Sequence, residues 1–397
     1  MLSKLFPSAK EKSLEEPVQS RDAFIYLNRG MWVVGWTEPH EKRWTVLYRM
    51  WFMLTTLMII ILVPLSMVAE YVQRFRSFSA GEFLSSLEIS VNIYGCSVKC
   101  VATIMGYRKF QEARKILDKL DESCQENAEK VIVRRYVAWG NLVFMIFQVL
   151  YSFFVVTNCG GYMLMGSHAW RMYVPFINPN NNFYMTNLLE FILMNFVVLM
   201  EQCTDVCALT YILLGRCHII LLKDRLTRLR IDPDKSEEEH CMELNKCIQD
   251  HRLILDYFNV LRPVFSKTIF IQFLLIGIVL GLSMIYIQFF ATFWMGIINL
   301  VFMFDVCLET FPFCYVCNLI IDDCQELADS LFQSNWMSAD RRYKSTLIYF
   351  LHNLQQPIAL TAGGVFPICM QTNLSMVKLA FSVVTVIKQF NLAEKFQ

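Results

Sequence analysis

The last apolar segment of the sequence places side chains that could line an aqueous path inside an otherwise hydrophobic helix. Steps of four and three residues put five of them on one stripe of a helix. These five are Ser375, Leu379, Ser382, Val386 and Gln389. A polar side chain inside a membrane is costly unless it meets a partner or water, so the stripe suits a narrow pore that closes by dewetting at Val386 or Phe390. A seam of Ser side chains between two helices is the other interpretation that the residues allow.

The cysteines and other potentially reactive residues lack the spacing of a metal site or a catalytic site. The pairs Cys314–Cys317 and Cys203–Cys207 are not followed by a second Cys or His pair at metal-ligand spacing. Small apolar residues in a helix interface are therefore the favoured interpretation of these cysteines. No nucleophile elbow, zinc-protease, phosphate-loop or dinucleotide-binding motif occurs. We predict a protein that is not an enzyme and that needs no cofactor or metal.

The elements that must position the stripe are membrane-spanning helices. The chain has 397 residues, of which 55% are hydrophobic and only 18% are charged, against about 25% charged in soluble domains. Uncharged runs recur that are long enough to cross a bilayer, which takes about 20 residues. They predict an all-α polytopic membrane protein with seven spans, near residues 50–69, 83–105, 136–170 (with a loop), 188–214, 266–288, 292–321 and 366–390.

The segment that leads into the last span is broken in the sequence. Pro357 cannot donate a helix hydrogen bond and the Gly363–Gly364 pair relaxes the backbone, so a helical segment should end there. The preceding residues 341–356 are charged enough to form a separate helix outside the membrane. The real span then begins after the break.

Basic residues concentrate on one side of the predicted membrane. The N-terminal segment and the connections after the second, fourth and sixth spans hold 28 Lys and Arg, whereas the opposite side holds 5. Cytoplasmic connections carry the excess of Lys and Arg, so the N-terminus is predicted to be cytoplasmic and the C-terminus extracellular. This orientation is the reverse of that of G-protein-coupled receptors, one of the rival classes.

The predicted organisation follows from the spans and their orientation. Residues 1–43 form a cytoplasmic segment, 44–214 the first four spans, 215–265 a cytoplasmic helical extension and loop, 266–325 the next two spans, and 326–397 a cytoplasmic helix with the last span. Within the extension, apolar residues recur at helical intervals from Met242 to Leu261. Their apolar face must be covered by this chain's own helices or by neighbouring subunits.

Two stretches of sequence resemble the insect odorant receptor family. They are the Gln-x-Pro-x-x-Leu-Thr-Ala-Gly-Gly run at Gln355–Gly364 and the terminal LAFSVVTVIKQF. The resemblance extends in layout and length over the whole chain. It implies a ligand-gated cation channel of four subunits in the plasma membrane of a sensory neuron, with the last span of each subunit lining the pore and cytoplasmic helix ends forming an anchoring bundle.

The resemblance also implies partners and roles for individual residues. Odour-tuned members of the family assemble with a shared co-receptor that has a longer loop between spans four and five, so this chain is similar to a tuned subunit. Alignment on the terminal Gln places Val386 at the hydrophobic gate and Gln389 and Phe390 at the outer, filter-like end. The odorant pocket of the family lies in the outer halves of spans two, three, four and six.

On this sequence that pocket region offers mostly aromatic, Met and aliphatic walls. The candidates are Leu87, Val91, Tyr94, Tyr151, Phe154, Phe191, Met194, Phe290, Phe293 and Trp294. Such walls suit a small volatile molecule that binds by dispersion and burial. Tyr94, Tyr151 or Trp294 could add one polar contact.

Two further classes stay open on the sequence. Ser382, Gln389 and Phe390 partly match the ending of the related gustatory receptors, which would form channels without the co-receptor. Ser382 and Val383 stand where that family has Thr-Tyr. A secondary transporter is consistent with a Gly-Gly break in a span, but no matching break or internal repeat accompanies it. Nucleic acid is not a predicted partner, because the basic segments are mixed with Asp and Glu and lack interleaved aromatic residues.

Overall fold

Helices make up nearly all of the computed structural model, which describes residues 19–37, 44–173 and 182–389. Seven of the helical segments are long and apolar enough to cross a membrane, and we call them the first to seventh spans. They are Thr45–Arg74, Ala80–Met105, Asn127–Leu164, Phe183–Thr227, Glu237–Phe289, Phe293–Gln333 and Met370–Gln389. The predicted all-α class and the number of seven spans are confirmed.

Shorter elements precede and connect the spans. They are the 3-10 helices Ser20–Phe24 and Phe75–Ser77, the helices Ile25–Val33, Tyr107–Glu122 and Arg341–Leu354, and a hairpin of the strands Thr361–Ala362 and Phe366–Pro367. The first span contains a π-helical stretch at Leu57–Leu62. The sixth span, predicted to be continuous, is interrupted: one helix ends at Leu308 and the next begins at Phe311. Pro312 explains the restart, because proline lacks an N–H and is favoured in the first turn of a helix.

The fourth and fifth spans are far longer than the uncharged runs in them. They contain 45 and 53 residues, or about 68 and 80 Å at 1.5 Å per residue, whereas the hydrocarbon core is about 30 Å thick. The fifth begins at a capping box in which Ser236 accepts from the N–H of Glu239 and the Glu239 carboxylate accepts in return. Each helix therefore continues from the apolar run into the amphipathic extension without a break.

The apolar face of this extension is largely covered within the chain itself. Leu244, Phe258 and Leu261 are buried, whereas Met242 is exposed. Arg225, near the end of the fourth span, binds the carboxylates of Glu129 and Asp250 and so ties three helices together. Most of this apolar face is therefore buried by the chain's own helices, and not by neighbouring subunits.

The described start of the chain packs against the helix Tyr107–Glu122. The N–H and the hydroxyl of Ser20 each donate to the carboxylate of Asp121 at 2.7 Å. Burial raises the pKa of Asp121 to about 6, although the two hydrogen bonds favour its ionised form. The 3-10 helix Ser20–Phe24 is thereby held against the bundle by the carboxylate of Asp121.

The predicted break before the last span is confirmed, and it is a hairpin turn. Gly363 and Gly364 have φ angles of +60° and +72°. Glycine adopts such positive φ angles at no steric cost, and two-residue hairpin turns often require them. The N–H of Val365 donates to the carbonyl of Ala362 at 3.1 Å and closes the turn. The N–H of Gly363 donates to the carbonyl of Ser266 at 2.9 Å, so the turn is fastened to the fifth span. The helix of the seventh span begins at Met370, a few residues later than predicted.

Candidate ligand pocket and pore helix

The seventh span is the helix that its own chain covers least. In its most apolar stretch 17% of the residues are buried, compared with 83% in the fourth span. Among the described residues of this helix, Asn373 and Ala380 are the buried ones. They lie on the side that packs against the fifth span and the Phe311–Gln333 half of the sixth.

The predicted stripe lies on the opposite side of this helix. At about 100° per residue, Ser382 is turned about 160° and Val386 about 120° from Ala380, both in the same direction. Leu379 is 56% exposed and Val386 48% exposed, and Ser375, Ser382 and Gln389 are also exposed. Phe390 lies outside the described residues. The stripe therefore points away from the helices of its own chain.

The hydroxyl groups of the stripe have no partner on another helix within the described chain. Ser375 donates to the carbonyl of Gln371 at 2.8 Å and Ser382 to that of Lys378 at 2.9 Å, one turn back in the same helix. This bonding satisfies each hydroxyl without a neighbouring subunit. A Ser-mediated seam inside the chain, the alternative to a pore, is thus not formed.

The predicted pocket residues fall into three groups by burial. Tyr151, Phe154 and Met194 are buried and belong to the continuous core. The ring of Phe154 stacks on Phe302 of the sixth span at 5.5 Å between centroids. The half-buried group comprises Leu87, Val91, Phe191 and Phe290.

The third group lies at the outside of the bundle. Phe293 and Trp294 are 76% and 67% exposed, and their rings pack on each other with centroids 5.4 Å apart. Tyr94 is exposed at 36% and donates its hydroxyl to the carbonyl of Pro64 at 2.7 Å. Of the predicted residues, Tyr151, Phe154 and Met194 are therefore the ones that face the interior between helices.

A polar pair lies in the interior and was not among the predicted site residues. Glu88, only 1% exposed, accepts a hydrogen bond from the amide of Asn299 on the sixth span. One oxygen of each side chain, Oε2 of Glu88 and Oδ1 of Asn299, has no hydrogen-bond partner. The charge of Glu88 within an apolar run was the signal that could have identified it, because ionisable residues inside a membrane usually have a function.

A larger group, which we call the ionic cluster, lies where four spans meet. It consists of Lys99, Glu201, Asp205, Gln272 and Glu309. The Nζ of Lys99 lies 2.8 Å from Asp205 Oδ1, 3.3 Å from Glu309 Oε2 and 3.7 Å from Glu201 Oε1. It also donates to Gln272 Oε1 at 2.7 Å. These charged side chains are 3% to 9% exposed.

Two further residues extend the ionic cluster. The hydroxyl of Tyr151 on the third span donates to Asp205 Oδ2 at 3.1 Å, and the thiol of Cys96 donates to Glu201 Oε1 at 2.5 Å. Cys96, Glu201 and Glu309 have ligand atoms within 4.8 Å of one another, but the ammonium of Lys99 already balances part of their charge. The arrangement is that of a buried network of ion pairs rather than of an open metal site.

These features belong to a known class of sensory membrane proteins. The family model described as 7tm odorant receptor matches residues 79–381. The chain belongs to the insect odorant receptor family and is a multi-pass membrane protein of olfaction. The chain is therefore neither a G-protein-coupled receptor nor a secondary transporter.

Individual relatives support the same assignment. The chain is 61% identical to odorant receptor 22a and 59% identical to odorant receptor 22b of Drosophila melanogaster, in alignments that cover 100% of both chains. It is 39% identical to odorant receptor 59b of the same species over 99% of this chain and 100% of the relative. These relatives are receptors rather than enzymes.

The fold is similar to solved structures of the insect olfactory receptor OR5 from Machilis hrabei. The TM-scores are 0.76 for the receptor alone and 0.75 for its complex with eugenol, with 15% and 14% identity. The alignments cover 93% of this chain and 98% and 97% of those chains. At this identity the likeness concerns the fold.

Proposed function

We propose that this chain is the odour-tuned subunit of a ligand-gated cation channel, which it forms as a heterotetramer with a shared co-receptor. It binds a small, apolar, volatile molecule in the outer half of its bundle and contributes its seventh span to a central pore. The observation that carries the proposal is the stripe on the seventh span, which faces away from its own chain. When four subunits surround a common axis, the stripe would face a pore in which water and ions pass the serines. In a single chain it would face lipid.

The ligand pocket is proposed between the second, third, fourth and sixth spans. Tyr151, Phe154 and Met194 are its strongest candidates because they are already enclosed between helices. Aromatic and thioether walls bind apolar molecules mainly by dispersion and burial. Phe293 and Trp294 would have to turn inward to reach the same ligand, so we rank them lower.

The pore is proposed to close at Val386. Val386 and the corresponding side chains of the other subunits would exclude water when the helices lie close together. A bound odorant opens the pore only by the difference between its affinities for the open and closed states. Gln389 and Phe390 would follow at the outer end if the C-terminus is extracellular.

The remainder of the chain is proposed to orient and anchor the channel. The basic connections, the extension 215–265 and the helix Arg341–Leu354 lie in the cytoplasm in this account, as the charge bias predicts. The Arg225 ion pairs with Glu129 and Asp250 stiffen this end. The outer halves of the spans are then free to adjust around a ligand.

Co-expression tests the proposed function. We expect odorant-evoked cation currents when this chain is expressed with the co-receptor, and none when the chain is expressed alone, because the tuned subunit supplies the pocket but needs the co-receptor to complete the pore. Whole-cell recording with a panel of small volatile molecules, eugenol among them, measures this, with the co-receptor alone as the control. Currents from the chain alone would favour a gustatory-type channel, and ligand uptake without current would contradict a channel altogether.

A further inference from the structure

The ionic cluster connects four of the seven spans, and Tyr151 adds the third span as a fifth. Lys99 comes from the second span, Glu201 and Asp205 from the fourth, Gln272 from the fifth and Glu309 from the sixth. The ammonium of Lys99 contacts all three carboxylates and the amide oxygen of Gln272. In an interior of low dielectric, an unpaired group in such a network is very costly. The cluster should therefore adopt discrete arrangements rather than deform gradually.

One member of the ionic cluster lies at the interruption of the sixth span. Glu309 follows the helix that ends at Leu308, and the next helix begins at Phe311. Its carboxylate accepts from the amide of Gln272 as well as from Lys99. The position of the interruption is thereby tied to the second and fifth spans.

The residue after Glu309 connects this interruption to the seventh span. The amide of Asn373 donates to the hydroxyl of Thr310 at 3.0 Å, and both residues are 0% exposed. Asn373 lies on the packed side of the seventh span, opposite the stripe. The Oγ1 of Thr310 also lies 3.4 Å from Oδ1 of Asn373. A second connection lies at the start of the seventh span, where the N–H of Met370 donates to Oδ1 of Asn318 at 3.2 Å.

At its other end the ionic cluster reaches the proposed ligand pocket. The hydroxyl of Tyr151 donates to Asp205 at 3.1 Å, and the other oxygen of Asp205 binds Lys99. A ligand that moves the Tyr151 ring would leave Oδ2 of Asp205 without this donor. The balance of contacts around Lys99 would then change.

We infer that the ionic cluster transmits ligand occupancy from the pocket to the pore helix, through Tyr151, Asp205, Lys99 and Glu309 and then through the adjacent Thr310 to Asn373. The inference rests on the proposed function, because it needs a ligand at Tyr151 and a pore at the seventh span. The two-state element is the interruption of the sixth span, whose position sets where Asn373 is held. Tyr151 contacts the ligand in this proposal, and Thr310 is a positioning residue.

A double-mutant cycle distinguishes transmission from a purely structural role. We expect Tyr151→Phe and Thr310→Val each to shift the odorant concentration for half-maximal current by about fivefold or more, the lower range of coupling between sites. The double variant should shift it by clearly less than the product of the two, because either change alone interrupts the same connection. The measurement is the dose–response curve with the co-receptor, normalised to surface expression.

Matched controls remove the same chemical groups elsewhere. Tyr94→Phe deletes a hydroxyl that binds the carbonyl of Pro64, and Thr385→Val deletes one that binds the carbonyl of Phe381 in its own helix. Tyr94→Phe is combined with Thr310→Val, and Thr385→Val is combined with Tyr151→Phe. In each double variant, the half-maximal odorant concentration should shift by the product of the two single shifts. Should Thr310→Val not reach the surface, Asn373→Ala breaks the same hydrogen bond from the other side and completes the cycle.

Two kinds of failure are separable. The transmission role would be overturned if the Tyr151→Phe/Thr310→Val variant shifts the half-maximal concentration by the full product of the single shifts. If the unmodified receptor gives normal currents in the same experiment, the proposed channel function would stand. Absence of any odorant-evoked current from the unmodified receptor with its co-receptor would instead contradict the proposed function.

Discussion

Lys99→Met should largely abolish delivery of the receptor to the cell surface. Lys99 is the one ammonium that contacts Glu201, Asp205 and Glu309 among the described residues, and these side chains are less than one tenth exposed. Removing one partner of a buried ion pair costs about 3–5 kcal/mol, because the remaining charge is left without compensation. A loss of that size is a large part of the total stability of about 5–15 kcal/mol. Surface biotinylation and thermal unfolding in detergent measure the two consequences.

The seventh span offers a matched control for this substitution. Lys378 is also a lysine within a spanning helix, but it is exposed, so Lys378→Met should leave surface delivery and unfolding temperature nearly unchanged. Adding Asp205→Asn to Lys99→Met removes one of the uncompensated charges and should restore part of the stability. Wild-type delivery and an unchanged melting temperature for Lys99→Met would show that the cluster does not hold the bundle together.

Val386→Trp should reduce odorant-evoked current to background while the receptor still reaches the surface. Val386 is 48% exposed on the side of the helix that its own chain leaves uncovered, so a larger side chain costs little within the subunit. At a proposed constriction shared by four subunits, an indole would fill space that ions need. Whole-cell current per surface receptor, with the co-receptor present, measures the effect.

Phe381→Trp is the corresponding control. Phe381 is 56% exposed on the same helix, but its side chain is turned about 140° from that of Val386. Substantial current should remain in this variant. Equal currents for Val386→Trp and the unmodified receptor would exclude Val386 from the gate.

The spans could be predicted from sequence because a membrane imposes one simple demand, a long uncharged run. The same rule could not give the full length of the fourth and fifth spans, since charged residues such as Arg225 are paired along an amphipathic helix that continues beyond the run. It also missed the interruption at Glu309 and Thr310, because a rule on uncharged runs gives no weight to Pro312. The Gly363–Gly364 break was predictable, whereas the short strands on either side depend on the anchor to the fifth span.

The candidate site was harder to predict for a physical reason. Lys99 and Glu309 are separated by 210 residues, and nothing in the local sequence of either indicates the other as a partner. Helical periodicity likewise did not show that Phe293 and Trp294 face outward, because both sides of a membrane helix can be apolar. The common face of Ser375, Ser382 and Gln389 could be predicted, because polar side chains at helical steps in an apolar segment lie on one side of the helix.

Cysteine accessibility along the seventh span tests most directly whether the stripe faces an aqueous pore. Ser382 lies on the stripe, and Val384, two residues further and turned about 200°, is half-buried against its own chain. With the co-receptor and an odorant present, a charged, water-soluble thiol reagent applied outside should reduce the current of Ser382→Cys and leave that of Val384→Cys and of the unmodified receptor unchanged. Reaction at Val384→Cys with protection of Ser382→Cys would contradict the account.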